Sequence, residues 1–247
     1  MAPLPGFQSA RTIKDKPRLI VCVEGMPKHG KSNFSLTAPG PIAILDFDFG
    51  LAEILHKFSD KEIQVCPQKS AAFYGSDAVT DWVEQLRKTK AAWTAALNSK
   101  DVRTVTVDTT TELWELLRMA RLGKLTQVMP VHYGPVNAEM RGFIREALES
   151  DKNVIFTHKM TAKYVNDVWS GDYARAGFKD MGYLAQVCVR LTRDDDEDVA
   201  PLDRFGLEVL DCRQNPEING MKLEGEMVSF PLLASLVYPD VDAENWQ

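Results

Sequence analysis

The stretch RLIVCVE, residues 18–24, runs directly into GMPKHGKS, residues 25–32. An apolar, β-branched run of this kind reads as a strand buried on both faces of a parallel sheet. A Gly-x-x-x-x-Gly-Lys-Ser sequence at its end is a phosphate cradle when it goes on to open a helix. Four matched positions arise by chance in roughly one chain in a hundred of this length, and the strand in front narrows the odds further. Each part has a physical task. Gly25 and Gly30 let the backbone fold tightly enough for its N–H groups to converge on phosphate oxygens. The helix N-terminus adds partial positive charge. Lys31 reaches the β- and γ-phosphates, and the Ser32 hydroxyl ligates Mg²⁺. The expected nucleotide contacts are Gly25, Met26, Pro27, Lys28, His29, Gly30, Lys31, Ser32 and Asn33. The breaker APGP at 38–41 limits the following helix to about two turns.

The remaining chain alternates strand-like and helix-like patterns as far as about residue 160. PIAILDFDFG (41–50), EIQVCP (62–67), VRTVTVD (102–108) and NVIFTHK (153–159) read as strands. Residues 77–98, 111–124 and 136–150 carry helical spacing. Residues 160–183 read as a loop rich in aromatic and charged side chains. Strands then dominate, with AQVCVRLTR at 185–193 and a pair around the Asn219-Gly220 turn, before a last short helix at 229–239. This order predicts an α/β fold with a mainly parallel central sheet flanked by helices, and a β-rich C-terminal extension. No internal linker is visible. The expected organisation is an N-terminal arm (1–16), one domain (17–240) and a short C-terminal tail (241–247).

A phosphate loop needs a carboxylate near Mg²⁺ and a group that orients the attacking water. VTVD ends on Asp108, which fits the ion-holding position and equally a helix N-cap. Thr109 follows rather than a glutamate, so the base has to come from elsewhere. Asp46 and Asp48 are two apart, so on a strand they share one side of the sheet. Asp48 is the preferred water-orienting residue, against the alternative of a turn carboxylate before Gly50. Thr157 and His158 end another strand, where a polar group can sense the γ-phosphate; His158 is the expected sensor or, alternatively, a histidine satisfied at a strand end.

The formal net charge of −6 argues against a surface that grips nucleic acid throughout, and leaves room for a local basic patch. The four cysteines form no Cys-x-x-Cys pair. Cys22 and Cys188 lie in apolar runs and read as small core residues. Reduced cysteines, no secretory-type leader and no run of 18 apolar residues imply a cytoplasmic protein with no membrane span.

Taken together, the strand before GMPKHGKS, then LDFDFG, VTVD and VIFTHK, resemble the RecA-type ATPase core over roughly residues 18–215. The short helix cut by APGP, followed by Asp46, Asp48 and Gly50, is similar to compact phage-encoded RecA-like ATPases, several of them of the single-strand annealing recombinase type. The resemblance implies a RecA-like P-loop NTPase fold using ATP and Mg²⁺, with Asp48 at the catalytic base position and His158 at the polar sensor. It implies action on single-stranded DNA in phage recombination or replication, in the host cytoplasm, as a homo-oligomer, with a single-strand DNA-binding protein as a further partner. Asp48 is shorter than the family's usual glutamate, and His158 replaces an amide.

Residues 159–193 carry six lysines and arginines against three aspartates, interleaved with aromatic rings. Stacking rings beside cations suit single strands. Lys159, Lys163, Tyr164, Trp169 and Tyr173 are the candidate DNA contacts, against the alternative of a hairpin or lid with ordinary surface charge. Arg175 and Lys179 are candidate fingers reaching the γ-phosphate of a neighbouring subunit. Two other functions stay open: a nucleotide-gated, slowly hydrolysing module that binds a partner, and a P-loop kinase for a small substrate.

Overall fold

In a computed structural model, residues 17–70, 78–124, 129–166, 168–196 and 198–246 are described. The expected N-terminal arm, residues 1–16, lies outside them. The strands are β1 (Ile20–Gly25), β2 (Ile42–Asp46), β3 (Ile63–Pro67), β4 (Thr104–Asp108), β5 (Asn153–His158), β6 (Met160–Val165), β7 (Val168–Arg175), β8 (Val187–Arg193), β9 (Phe205–Cys212) and β10 (Lys222–Glu224). The helices are α1 (Lys31–Leu36), α2 (Val79–Asn98), α3 (Thr110–Leu122), α4 (Tyr133–Glu149), α5 (Met181–Leu184) and α6 (Phe230–Val237).

Among the described residues, eight strands form one sheet in the order β10-β9-β8-β1-β5-β4-β2-β3. The six from β8 to β3 run parallel, and β9 and β10 are antiparallel additions. This is the expected α/β fold, with a mostly parallel central sheet flanked by helices and extra C-terminal strands. One strand, β5, separates the phosphate-loop strand β1 from β4, which ends on Asp108.

Every residue of β1 is buried, which explains its unbroken apolar run. One face packs Cys22, Phe156 and Val107 against the apolar stripes of α2, α3 and α4. Those stripes follow helical spacing, as in Trp82, Leu86, Trp93 and Leu97 of α2. The opposite face packs Val21, Val23 and Ile155 against Phe34 of α1 and Phe230 and Leu233 of α6. Strand alternation therefore sends neighbouring residues of β1 and β5 into different layers.

Two expectations change here. Residues 160–175 are a hairpin, β6–β7, rather than a loop. The segment taken as a C-terminal tail holds Trp246, which is buried and stacks on Tyr238 with ring centroids 5.8 Å apart. The packed unit thus continues to residue 246.

Candidate functional site

The phosphate loop turns between β1 and α1 at the C-terminal edge of the sheet. Gly25 lies against β8, where a Cβ would stand 3.1 Å from the Leu191 carbonyl oxygen. Gly30 has φ of 86° and faces the Phe205 ring, so glycine meets both a conformational and a spatial demand. Lys28 also has positive φ, and the His29 ring lies 3.2 Å from the Leu191 carbonyl oxygen. The Lys31 ammonium donates to the carbonyls of Gly25 and Met26, both at 2.9 Å. Burial lowers its pKa, and the charges of Asp108 and Asp48 oppose that.

Beside the loop is a cavity of about 760 Å³. Residues 27–34 form one wall, with Asp48, Ile54, Leu202 and Phe205 around it. The cavity joins a polar phosphate end to an apolar end, which suits a nucleotide.

At the tip of β4, Asp108 is nearly fully buried. Its two carboxylate oxygens accept from the Ser32 hydroxyl and the Thr157 hydroxyl, each at 2.6 Å. Burial raises its pKa, against the pull of those two hydrogen bonds. Thr157 shares a sheet face with Ile155, on the α1 side, which is how its hydroxyl meets Asp108. Among the described residues no group of three or more His, Cys, Asp or Glu forms a metal cage. Mg²⁺ on a phosphate loop takes one or two carboxylates plus phosphate oxygens and water. The Ser32–Asp108 oxygen pair fits that requirement.

Strand β2 stops at Asp46, so Asp46 and Asp48 do not share a strand face as expected. Asp46 is buried and accepts the backbone N–H groups of Asp48 and Phe49, at 3.1 and 3.0 Å, which turns the chain. Asp48 emerges from that turn into the cavity. Its carboxylate lies 2.9 Å from the Lys159 ammonium.

Lys159, a candidate DNA contact, thus has its ammonium directed at Asp48 beside the cavity. Its nitrogen also lies 2.9 Å from the nearly buried Glu112, whose other oxygen accepts from Ser70 at 2.5 Å. Burial works against the Lys159 charge, but hydrogen bonds to Glu112 and Asp48 outweigh it and raise the pKa. Its backbone N–H donates to Thr111 Oγ1 at 3.0 Å, and Thr111 donates to the Ala176 carbonyl at 3.3 Å. Ala176 N–H returns to the Lys159 carbonyl at 2.8 Å. Both roots of the β6–β7 hairpin are thus fastened three residues beyond Asp108.

The structure does not bring His158 to the phosphate loop. It faces the layer opposite Thr157, is fully buried, and has no side-chain hydrogen-bond partner, with only the Ala176 backbone near its ring. Burial, reinforced by the Arg175 charge, holds its pKa down at about 3, so it is neutral. Arg175 is likewise engaged within its own chain. It lies 3.8 Å from Glu24, and donates to Cys22 Sγ and to the Lys179 carbonyl at 3.1 and 3.3 Å. A trans-acting finger needs a free guanidinium, which Arg175 lacks; the other candidate, Lys179, is exposed. Lys163, Tyr164, Trp169 and Tyr173 all stand exposed on the hairpin, with Trp169 and Tyr173 edge to face at 6.5 Å.

Sequence reasoning placed Lys31, Ser32, Asp48 and Asp108 together, and the structure groups them. It did not anticipate the contacts of Glu112 and Ser70 in the neighbourhood of Lys159, or that Thr157 rather than His158 would be the residue of β5 that meets Asp108. Two-residue alternation along β5 was the available signal for Thr157, because Ile155 and Thr157 must share a face.

A family model described as an AAA domain matches residues 18–181. No curated protein matches the sequence. Among solved structures, the chain is similar to the RadB recombinase, at 13% identity and a TM-score of 0.45, over 83% of this chain and 84% of that one. It is also similar to a prototypical ATPase from the type III secretion system of pathogenic bacteria, at 14% identity and a TM-score of 0.47 over 71% of this chain. The match spans about half, 51%, of that second chain. No helix among the described residues is long and apolar enough to cross a membrane.

Proposed function

The chain belongs to the AAA domain family, and we propose that it is a Mg²⁺-dependent ATPase stimulated by single-stranded DNA, of the annealing or recombinase type that serves phage recombination or replication. The observation that carries the nucleotide part is the Ser32–Asp108–Thr157 chain beside Lys31, at the edge of the 760 Å³ cavity. Ser32 and Asp108 would hold Mg²⁺, which would supply neutralisation of the phosphate charge. Backbone N–H groups of residues 25–32 cradle the phosphates, and Thr157 fixes the Asp108 carboxylate from behind. Asp48 orients the attacking water. Lys159, one bond from the hairpin root and held against Asp48, meets the γ-phosphate in place of His158.

The DNA part is supported by the hairpin. It projects Tyr164, Trp169 and Tyr173 with Lys163 into solvent, while its roots are tied to Thr111 and Glu112 beside the nucleotide. Stacking rings with a nearby cation bind single strands irrespective of sequence. In a homo-oligomer, Lys179 is the side chain free to reach a neighbour's nucleotide.

The test is phosphate release from Mg²⁺-ATP with and without single-stranded DNA, beside Lys31→Ala. Release that rises with DNA in the native chain and vanishes in the variant is expected. Tight ATP binding by Lys31→Ala removes the phosphate-loop assignment. One observation favours a second reading, a nucleotide-gated module that hydrolyses slowly: the Asp48 carboxylate is occupied by Lys159. Nucleotide binding without phosphate release, with or without DNA, selects that reading.

A further inference from the structure

On the sheet face opposite the phosphate loop, Cys22 of β1 and Cys188 of β8 are register partners in parallel strands. Neighbouring strands lie about 4.7–4.9 Å apart, inside the Cα separation of about 4.4–6.8 Å that a disulfide spans. Cys22 is fully buried, whereas Cys188 borders a cavity of about 700 Å³ that Arg175, Arg190 and Tyr183 also line. The Arg175 guanidinium donates to Cys22 Sγ at 3.1 Å, and its Nε is buried without a partner. The neutral His158 ring supplies no competing charge. Two thiols, a cation and an entry path thus converge where core packing alone asks for small apolar residues.

The two sulfurs are unequal. The neighbouring Cys22 thiol, assisted by the Arg175 charge and opposed by burial, lowers the Cys188 pKa. Burial, and then the Cys188 sulfur, push Cys22 up. Cys188 is also the thiol of the pair that borders the cavity, so it is the one a small peroxide reaches.

We propose that Cys22 and Cys188 form a peroxide-sensitive dithiol behind the phosphate loop, in which Cys188 reacts with a hydroperoxide and Cys22 closes a disulfide. The Cys188 thiolate attacks one peroxide oxygen. The O–O bond breaks, a sulfenic acid forms, and the departing hydroxide or alkoxide takes up the proton that Cys188 released. Cys22 sulfur then attacks the sulfenic sulfur. The S–O bond breaks, an S–S bond forms, and the leaving hydroxide takes the Cys22 proton as water. Two thiols are oxidised and one hydroperoxide is reduced. The link takes the Cys22 sulfur from Arg175, which ends the hairpin, and stiffens β1 three residues before Gly25. An effect on nucleotide binding rests on the ATPase reading; the thiol chemistry does not.

The test treats the full chain with hydrogen peroxide and maps its peptides without reduction by mass spectrometry. The expected product is a Cys22–Cys188 peptide that dithiothreitol reverses, together with a several-fold, reversible loss of ATP affinity. Cys22→Ser should leave Cys188 as a sulfenic acid that dimedone traps, and Cys188→Ser should leave Cys22 untrapped. Circular dichroism checks that both variants fold, and the native chain's peptide map decides the matter if either does not. Oxidation confined to the partly exposed Cys66, with Cys22 and Cys188 reduced, overturns the proposal. A protein that forms the link but binds no ATP in either state retains the dithiol and refutes the ATPase reading instead.

Discussion

The Lys159 ammonium nitrogen lies 2.9 Å from a carboxylate oxygen of Asp48 and 2.9 Å from one of Glu112. One cation thus joins the turn after β2, the first turn of α3 and the root of the β6–β7 hairpin. Lys159→Met should lower phosphate release by about 10²–10³-fold, the usual cost of removing a donor aimed at developing charge. ATP affinity should change only a few-fold, because Lys31 and the loop backbone remain. The variant also leaves Glu112 buried without its cation, so its melting temperature should fall. Lys159→Met combined with Glu112→Gln should regain the melting temperature and not the turnover. Unchanged phosphate release in Lys159→Met would remove the γ-phosphate role.

Asp108 gives a trade between stability and turnover. Burial raises its pKa, whereas in an unfolded chain an aspartate ionises near about 3.9. A carboxyl raised on folding contributes stability that is full below the unfolded value and is lost as pH rises through the folded one. Asp108→Asn does not titrate. Without metal, its melting temperature should therefore gain on the native protein's as pH rises above about 4, where an increment of about 1 kcal/mol corresponds to about 2–4 °C. Phosphate release should fall to the Lys31→Ala background. A pH-independent difference between the two melting temperatures would refute the assignment of a strained, ionised Asp108.

The legible parts of this chain are those where one local rule dominates. Strand β1 is buried on both faces, so its apolar run is unbroken and the Gly-Lys-Ser sequence behind it has a defined place. The hairpin was not legible, because most of β6 and nearly all of β7 is exposed and no two-residue alternation marks a buried face. Lys159 was read as a DNA contact because it opens a basic, aromatic segment. Its true partners, Asp48 and Glu112, are distant in sequence and meet it only through the strand order β5-β4-β2. Trp246 lies in a short polar stretch, and only the packing of α6 shows that it is core.

His158 offers a test with both signs worked out. Its pKa is held at about 3 in the folded chain, against about 6.5 unfolded. Below the unfolded value the unfolded chain takes a proton that the native one refuses, so stability falls as pH drops from about 6.5 toward 3. Thermal melts of the native protein should therefore decline more steeply over that window than those of His158→Leu. At pH about 7.5, His158→Gln should retain phosphate release within a few-fold if folded, because the ring faces away from the loop. A folded His158→Gln with ATP affinity intact and no turnover would return the sensor role to His158.

The exposed rings of the hairpin separate DNA binding from nucleotide chemistry. Tyr164 and Trp169 are paired across β6 and β7, and both are more than half exposed. Neither contributes to the core clusters, so alanine at either position should leave the melting temperature nearly unchanged. Each ring stacked on a base contributes about 1–3 kcal/mol, so Trp169→Ala should weaken single-stranded DNA binding by about 5–150-fold. DNA-free ATP affinity should stay at the native level, while the DNA-stimulated part of phosphate release shifts to higher DNA concentration. Tyr164→Ala should act in the same direction, and the double variant should lose stimulation within the accessible range. Fluorescence anisotropy of a labelled oligonucleotide measures the first effect and phosphate release the second. Stimulation that survives the double variant at native DNA concentration would move the DNA interface off this hairpin.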